Sequence, residues 1–345
     1  MQCGPIAYKA DNNLSSDTNS FERYMIPRFT SFKNSSDKIT DLYSAIAENE
    51  LRNQAIIEDC IKAVSDGKTP IILTERTNHV DILAEKLQIY NVIKLVGGMS
   101  NKQYNETMNR LNNIPDNESL VIIATGKYIG EGFDFSRLDT LLLAMPISWK
   151  GTLQQYAGRL HRAHTNKTEV TIYDYIDINV PMLEKMYQKR LKGYRGINYK
   201  IKTEDTVTEN EGSIFDNTNF MELFATDITS AKREIIISTP FVSKRIINKM
   251  LHLFDTVADK ITVITRPIDD YTNEIGKQRI SECINILECN YINVRFKSGL
   301  HQKFAVIDQR LIWYGSINLL SFGKSEESIM RLESAEIADE LLNSI

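Results

Sequence analysis

The sequence predicts an α/β protein made of two units in tandem, the first built on a parallel sheet. Short apolar runs, such as 70–73 and 120–124, are bounded by turn residues, as buried strands are. They alternate with amphipathic stretches of about ten residues, the rhythm of parallel βαβ units. An acidic, polar stretch at 203–218 (TEDTVTENEGSIFDNT) interrupts the pattern, and a second alternation follows it.

The elements fall in order. The first fifty residues carry little pattern, and 11–20 (DNNLSSDTNS) and 33–38 (KNSSDK) are turn-rich. Residues 1–44 are therefore expected to be an irregular segment or inter-domain connection. A helical pattern begins near Asp41, runs through Ala63 and stops at Asp66-Gly67. A strand at 70–73, a helix at 78–88, a strand at 92–96 and a helix at 101–112 follow. Strands at 120–124 and 140–144, a helix at 151–163 and a strand at 169–176 complete a first domain of 45–202. Residues 203–218 read as the linker. The second domain, 219–345, has strands at 233–239, 260–265 and 292–297 alternating with helices at 243–255 and 273–288. Strands at 303–307 and 311–314 close it.

Composition narrows the class. The 345 residues are 42% hydrophobic and 25% charged, ordinary for a globular chain and unlike a disordered one. Forty-one basic residues face forty-five acidic ones, a net charge of −4, so no overall basic coat is present. No apolar run reaches the roughly 18 residues of a membrane span, and the first residues lack a secretory pattern. A cytoplasmic protein without membrane association is expected. Cys3, Cys60, Cys283 and Cys289 have no CxxC spacing, which argues against structural zinc and a disulfide framework. No metal site is expected.

In the first unit, ATGKYIGEGFDF at 124–135 follows a buried strand, and Gln155, Gly158, Arg159 and Arg162 form QxxGRxxR on the next helix. At helical spacing Gln155, Arg159 and Arg162 share one face. Paired guanidinium forks suit phosphate oxygens and stay charged. The two segments resemble motifs V and VI of superfamily-two DEAD/DEAH-type helicases, carried there by the second of two RecA-like domains. The resemblance covers about 20–200. It implies that Gly132 and Asp134 lie near the nucleotide ribose, that Gln155, Arg159 and Arg162 belong to the ATP site, and that Arg159 and Arg162 reach the γ-phosphate. It also implies that Thr125 touches the nucleic-acid backbone.

The departure from that family matters as much. No phosphate-cradling GxxxxGK[ST] loop is present. Gly67-Lys68-Thr69 imitates its end, but Lys62 stands where the first glycine belongs, and a helix precedes and a strand follows. The sole Asp-Glu pair, Asp339-Glu340, falls in a C-terminal helix. The expectation is a C-terminal part of a longer helicase, or one half of a split one. Alone it should neither hydrolyse ATP nor unwind a duplex. ATP with magnesium would be bound only together with a first RecA-like domain, in the same or another chain. Residues 185–202 hold seven Lys or Arg and no acid, interleaved with Tyr187, Tyr194 and Tyr199. Lys189, Arg190 and Lys192 are therefore candidates for nucleic-acid binding; a solvated helix followed by an edge strand is the alternative.

The second unit holds the sharpest pattern: His301-x-Lys303, four residues, Asp308, six residues, then Gly315-Ser316-x-Asn318. It resembles the HKD signature of the phospholipase D superfamily, which includes nucleases, over about 215–345. His301 and Lys303, two apart on a strand, would point to one face. An imidazole, partly neutral near pH 7, can attack phosphorus and form a phosphohistidine. Lys303 would supply fixed positive charge. The resemblance implies that Ser316 and Asn318 hydrogen-bond the phosphate, that Glu327 orients a histidine, and that Asp308 is largely structural. The site needs no metal. Only one HKD copy is present, since His79, His161, His164 and His252 lack the pattern, so a homodimer pairing two His301 side chains is expected.

Together these readings give an α/β chain with a RecA-like parallel-sheet domain followed by a phospholipase D-like domain. Its expected role is part of a DNA helicase–nuclease, in restriction or defence. The alternative is a non-catalytic nucleic-acid-binding accessory that completes the ATP site of a partner. A lipid phosphodiesterase is disfavoured.

Overall fold

The computed structural model describes residues 21–126, 133–147, 150–165, 167–203, 212–323 and 327–345. Two seven-stranded sheets organise them.

The first sheet has the strands β1 (Glu22–Phe29), β2 (Pro70–Thr74), β3 (Asn91–Leu95), β4 (Leu120–Thr125), β5 (Thr140–Leu143), β6 (Glu169–Ile176) and β7 (Lys200–Ile201). Their order is β3-β4-β2-β5-β6-β1-β7, and every pairing is parallel. Helices α1 (Ile39–Glu48), α2 (Glu50–Ser65), α3 (Thr77–Lys86), α4 (Asn101–Asn112), α5 (Lys150–Leu160) and α6 (Pro181–Gly196) connect or flank them. Strands β2 and β4 are buried on both faces, which explains their unbroken apolar sequences.

Two expectations need correction here. Residues 1–44 are not wholly irregular: β1 lies inside the sheet, parallel to β6 over eight residues. Its sequence, ERYMIPRF, sets three charges and a proline among its apolar residues without alternation, so no pattern announced it. The long helix expected from Asp41 is broken at Asn49, which ends α1 and caps α2 by accepting from the Arg52 N–H.

The second sheet has β8 (Ser213–Asp216), β9 (Ile235–Ser238), β10 (Ile261–Thr265), β11 (Asn293–Phe296), β12 (Phe304–Ile307), β13 (Leu311–Gly315) and β14 (Ser328–Glu333), in the order β11-β10-β9-β12-β13-β14-β8. The β11, β10 and β9 edge is parallel and the remainder antiparallel. Helices α7 (Met221–Thr229), α8 (Lys244–Phe254), α9 (Glu274–Cys289) and α10 (Ala335–Asn343) accompany it. The expected linker therefore contains an edge strand, β8. Gly212, just before it, has room for no side chain, because a Cβ there would lie 2.6 Å from the Arg331 carbonyl oxygen.

Alternation sorts the second sheet's residues. Ile237, Val263, Ala305, Ile307 and Trp313 pack on the α7–α8 side. Phe304, Val306, Ile312, Tyr314, Met330 and Leu332 belong to a core shared with Tyr187, Leu191 and Tyr194 of α6. One helix of the first unit thus covers the second unit's sheet. The Tyr187 hydroxyl meets Met330 Sδ at 3.1 Å, and the Phe29 and Tyr314 rings pack edge-on at 5.2 Å. Removing this much apolar surface from water joins the two units firmly. No helix among the described residues is long and apolar enough to cross a membrane.

Candidate functional site

The chain enters β12 beneath the turn that links β6 to α6. His301 Nε2 donates to the Ile178 carbonyl at 3.1 Å, and Gln302 Nε2 donates to the same oxygen at 3.3 Å. Lys303 Nζ donates to the His301 carbonyl at 3.0 Å. A carbonyl oxygen only accepts, so Nε2 carries a proton in this contact and offers no lone pair to phosphorus. His301 and Lys303 precede the strand, which starts at Phe304, so the expected placement on one strand face is replaced by an irregular entry.

The Ile178 turn is itself anchored. Asp177 accepts from Thr30 Oγ1 at 2.6 Å and from Arg52 Nε at 3.0 Å, all three buried. Arg52 Nη1 also donates to the Ala144 carbonyl. A buried pair of this kind stays charged only while its partners stay in place.

Register carries the Gly-Ser-x-Asn segment to the same end of the sheet. Phe304 faces Tyr314, and Gly315 N–H donates to the Lys303 carbonyl at 3.2 Å. Gly315 is obligatory, since a Cβ would lie 2.3 Å from the Ser328 carbonyl oxygen. Ser316 Oγ accepts from Ser328 N–H at 2.9 Å, so backbone already engages this hydroxyl. Asn318 Oδ1 is buried with no hydrogen-bond partner among the described residues, as expected of an acceptor reserved for a ligand or water. Glu327 precedes β14 beside Ser328. Asp308 lies elsewhere. It sits at the far end of β12, about 15 Å of strand away, with a left-handed φ of 53°. It accepts from the backbone N–H groups of Lys232, Arg233 and Glu234. Partial burial pushes its carboxyl up, but these bonds prevail and hold it below the usual range. The geometry makes Asp308 an anchor for the entry to β9, not a member of the phosphate site.

The RecA-like residues form a second, open group. Asp134 and Arg162 pair at 3.4 Å on the surface. Gln155 is exposed and Arg159 half-buried, both on α5. Arg162 lies past the helix, which ends at Leu160, so the expected i, i+4, i+7 face holds for Gln155 and Arg159 alone. Thr125 ends β4 and is buried, its Oγ1 accepting from Gly97 N–H at 3.1 Å. Gly132 lies outside the described residues.

The basic stretch divides in two. Arg190 is buried, donating Nε and Nη2 to the Asp174 carboxylate at 2.8 Å each and Nη1 to the Ile147 carbonyl at 2.8 Å. Tyr187, Tyr194 and Tyr199 are core residues. Arg190 and the tyrosines are therefore unavailable to nucleic acid, because the inward face of α6 must satisfy the buried Asp174. Lys189 is exposed and Lys192 half-exposed.

Sequence reasoning missed three groups. Lys167 Nζ donates to four carbonyls, those of Ser136, Leu138, Leu160 and Arg162, at 2.6, 2.5, 3.1 and 2.8 Å. It ties the exit of the motif V segment to the end of α5. Burial lowers its ammonium to about 8 against the pull of Asp139. A lone lysine after a turn gives no signal of this. The Ile178 carbonyl is backbone and invisible to motif reading. Lys33, after β1, lies close enough to Lys297, at the exit of β11, for their charges to interact. Burial and the Lys33 charge both push the Lys297 ammonium down. Among the described residues no cluster of His, Cys, Asp and Glu is arranged to hold a metal.

Comparisons with known proteins match this division. Residues 52–164 match the model of the helicase conserved C-terminal domain, and residues 224–345 that of the cardiolipin synthase, PLD-like domain. The chain thus joins a helicase C-terminal domain to a phospholipase D-like domain. Protein 161L of Invertebrate iridescent virus 6, named as a helicase, is 31% identical over 45% of this chain and 37% of its own. Transcript termination protein A18 of Fowlpox virus is 22% identical over 41% of this chain and 31% of its own. The chain spans about a third of the length of these relatives. Among solved structures, T4 UvsW matches with TM-score 0.41 and 19% identity, covering 53% of this chain and 41% of that one. The phospholipase D family member Nuc from Salmonella typhimurium matches with TM-score 0.32 and 17% identity, over 38% and 89%.

Proposed function

We propose that the chain is the motor-and-nuclease end of a nucleic-acid-processing enzyme, and that it cuts phosphodiesters at His301. The observation that supports this is that the β12–β13 register carries Asn318, with its unpartnered acceptor, to the same end of the second sheet as His301 and Lys303. Nucleic acid, DNA in first place, is the substrate class suggested by the helicase neighbour.

The chemistry would run in two displacements. A ring nitrogen of His301 attacks phosphorus; a P–N bond forms and the P–O bond to one strand segment breaks. A second histidine, from another copy in a two-fold pair, protonates the leaving oxygen. Water, passing a proton to the now neutral second histidine, then attacks phosphorus, and the P–N bond breaks to release His301. Lys303 neutralises the phosphate oxygens and Asn318 hydrogen-bonds them. Because Ile178 occupies Nε2, attack from that nitrogen requires the β6–α6 turn to withdraw, which also makes room for the second copy. Cutting would thereby follow the position of the RecA-like domain.

Asp134, Gln155, Arg159 and Arg162 fit the arginine side of a triphosphate site. A first RecA-like domain, upstream or in another chain, would supply the phosphate loop and the magnesium ligands. The assay is cleavage of a labelled single-stranded oligonucleotide in EDTA. Persistent cleavage that His301→Ala abolishes supports the nuclease; cleavage lost in EDTA, or retained by His301→Ala, sinks it. The closed contact of His301 favours a second reading, an accessory that binds without cutting, which predicts binding but no cleavage by the wild type.

A further inference from the structure

Next to His301 the second sheet presents an aromatic ring that its core does not use. Phe241 is 43% exposed. The turn carrying it is fixed: Thr239 Oγ1 donates to the Phe241 carbonyl at 3.0 Å, and the Tyr271 hydroxyl donates to the Pro240 carbonyl at 3.5 Å. The Arg266 guanidinium lies over the ring, 5.0 Å from its centroid, and Arg266 Nε donates to the Leu300 carbonyl at 2.8 Å, one residue before His301. Ring, cation and the proposed nucleophile are thus linked through side-chain and backbone contacts.

Register places a further group beside them. Ile237 faces both Val263 and Ala305. Two residues on, Thr239 follows the end of β9, Thr265 ends β10 and Lys303 precedes β12, so the three lie at the same end of the sheet. Thr265 is fully buried, and its Oγ1 has no hydrogen-bond partner among the described residues. A buried hydroxyl left unpaired at this end of the sheet is the mark of a polar ligand or a bound water.

We propose that Phe241 and Arg266 form a nucleotide subsite for single-stranded nucleic acid, in which the base flanking the scissile phosphate stacks on Phe241 and Arg266 neutralises the adjoining phosphate. The proposal rests on His301 marking the phosphodiester site. A base in a duplex is already stacked and paired, so only an unpaired strand presents the face such a ring accepts. A phospholipid headgroup has no aromatic face to stack, which favours nucleic acid. Stacking tolerates any base, so the subsite fits sequence-independent binding.

The test measures binding of a fluorescein-labelled oligothymidylate to the full chain carrying His301→Ala, which separates binding from cutting. Adding Phe241→Ala should weaken binding about ten-fold, while Phe241→Trp keeps it and shows fluorescence quenching on binding. An oligonucleotide abasic throughout should bind Phe241→Ala and its parent equally. Equal affinity of Phe241→Ala and parent for oligothymidylate would overturn the proposal. So would an equal loss for the abasic strand, or an effect seen only on anionic phospholipid vesicles. If the wild type fails to cleave while binding still depends on Phe241, the nuclease reading falls and the subsite stands.

Discussion

The two candidate sites differ in what covers them. In the first domain Asp134, Gln155 and Arg162 are exposed among the described residues, and Asp134 and Arg162 pair there at 3.4 Å. In the second domain His301 is half-buried, and a backbone carbonyl from the first domain holds its Nε2. On the proposed reading, an open arginine site is completed by a partner that brings charge to it. A capped histidine needs something removed. The same polypeptide joins the two conditions, because α6 packs on the second sheet and the β6–α6 turn supplies the cap.

The largest effect should come from the capped side. His301→Ala should lower strand cleavage by several orders of magnitude, as loss of a covalent nucleophile does, with the unfolding midpoint in urea nearly unchanged. Wild-type stability in the face of lost cleavage assigns His301 to chemistry, while a shared collapse of both would reduce it to a structural contact.

Next in size is the buried ion pair that holds α6 to β6. Arg190→Leu leaves Asp174 buried without its ion-pair partner, so stability should fall by about 3–5 kcal/mol. Urea unfolding checks this, and Lys189→Leu at the neighbouring exposed position should shift stability by no more than about 0.5 kcal/mol. Equal effects at the two positions would refute the division of α6 into an inward and an outward face.

Acid probes a third buried group. His79 Nδ1 and Nε2 contact Thr74 Oγ1 and Asn53 Oδ1 at 2.9 and 2.8 Å, and burial, with the Arg52 charge, lowers its pKa to about 3. The unfolded chain then binds a proton near pH 6.5 that the folded chain refuses until about pH 3. Stability should therefore be undiminished above pH 6.5 and fall by on the order of 1 kcal/mol per unit below it. Urea midpoints from pH 7 to pH 4.5 should show a shallower decline for His79→Gln than for the wild type.

The smallest effects belong to the open side. Arg162→Ala breaks an exposed pair worth about 0–1 kcal/mol, so stability and EDTA-resistant cleavage should both hold. Lys189→Glu with Lys192→Glu should weaken DNA binding uniformly across sequences and lower the salt slope by about two. An unchanged slope would remove α6 from the nucleic-acid path altogether.

Much of this was legible in the sequence, for identifiable reasons. The doubly buried β2 and β4 announced themselves as apolar runs, and the two halves of the HKD spacing lie at one end of the second sheet because β12 and β13 pair from Phe304 and Tyr314. What stayed hidden depends on pairing across distance. β1 is a strand because β6 and β7 accept it, not because ERYMIPRF alternates. Arg190 looked like a nucleic-acid ligand because its partner, Asp174, is sixteen residues away in another element. Asp308 belongs to the motif in sequence and to the opposite end of the strand in space. Lys167 and the Ile178 carbonyl act on backbone groups, which no side-chain motif encodes.

The account turns on His301 as a covalent nucleophile. Quenching of the full chain in alkaline denaturant during turnover of a phosphate-labelled single strand, followed by peptide mapping at alkaline pH, tests this directly. The account predicts label attached through an acid-labile, alkali-stable bond to the peptide containing His301, formed in EDTA and absent from His301→Ala. Cleavage that proceeds with no labelled protein, or label retained when His301 is replaced, would contradict it.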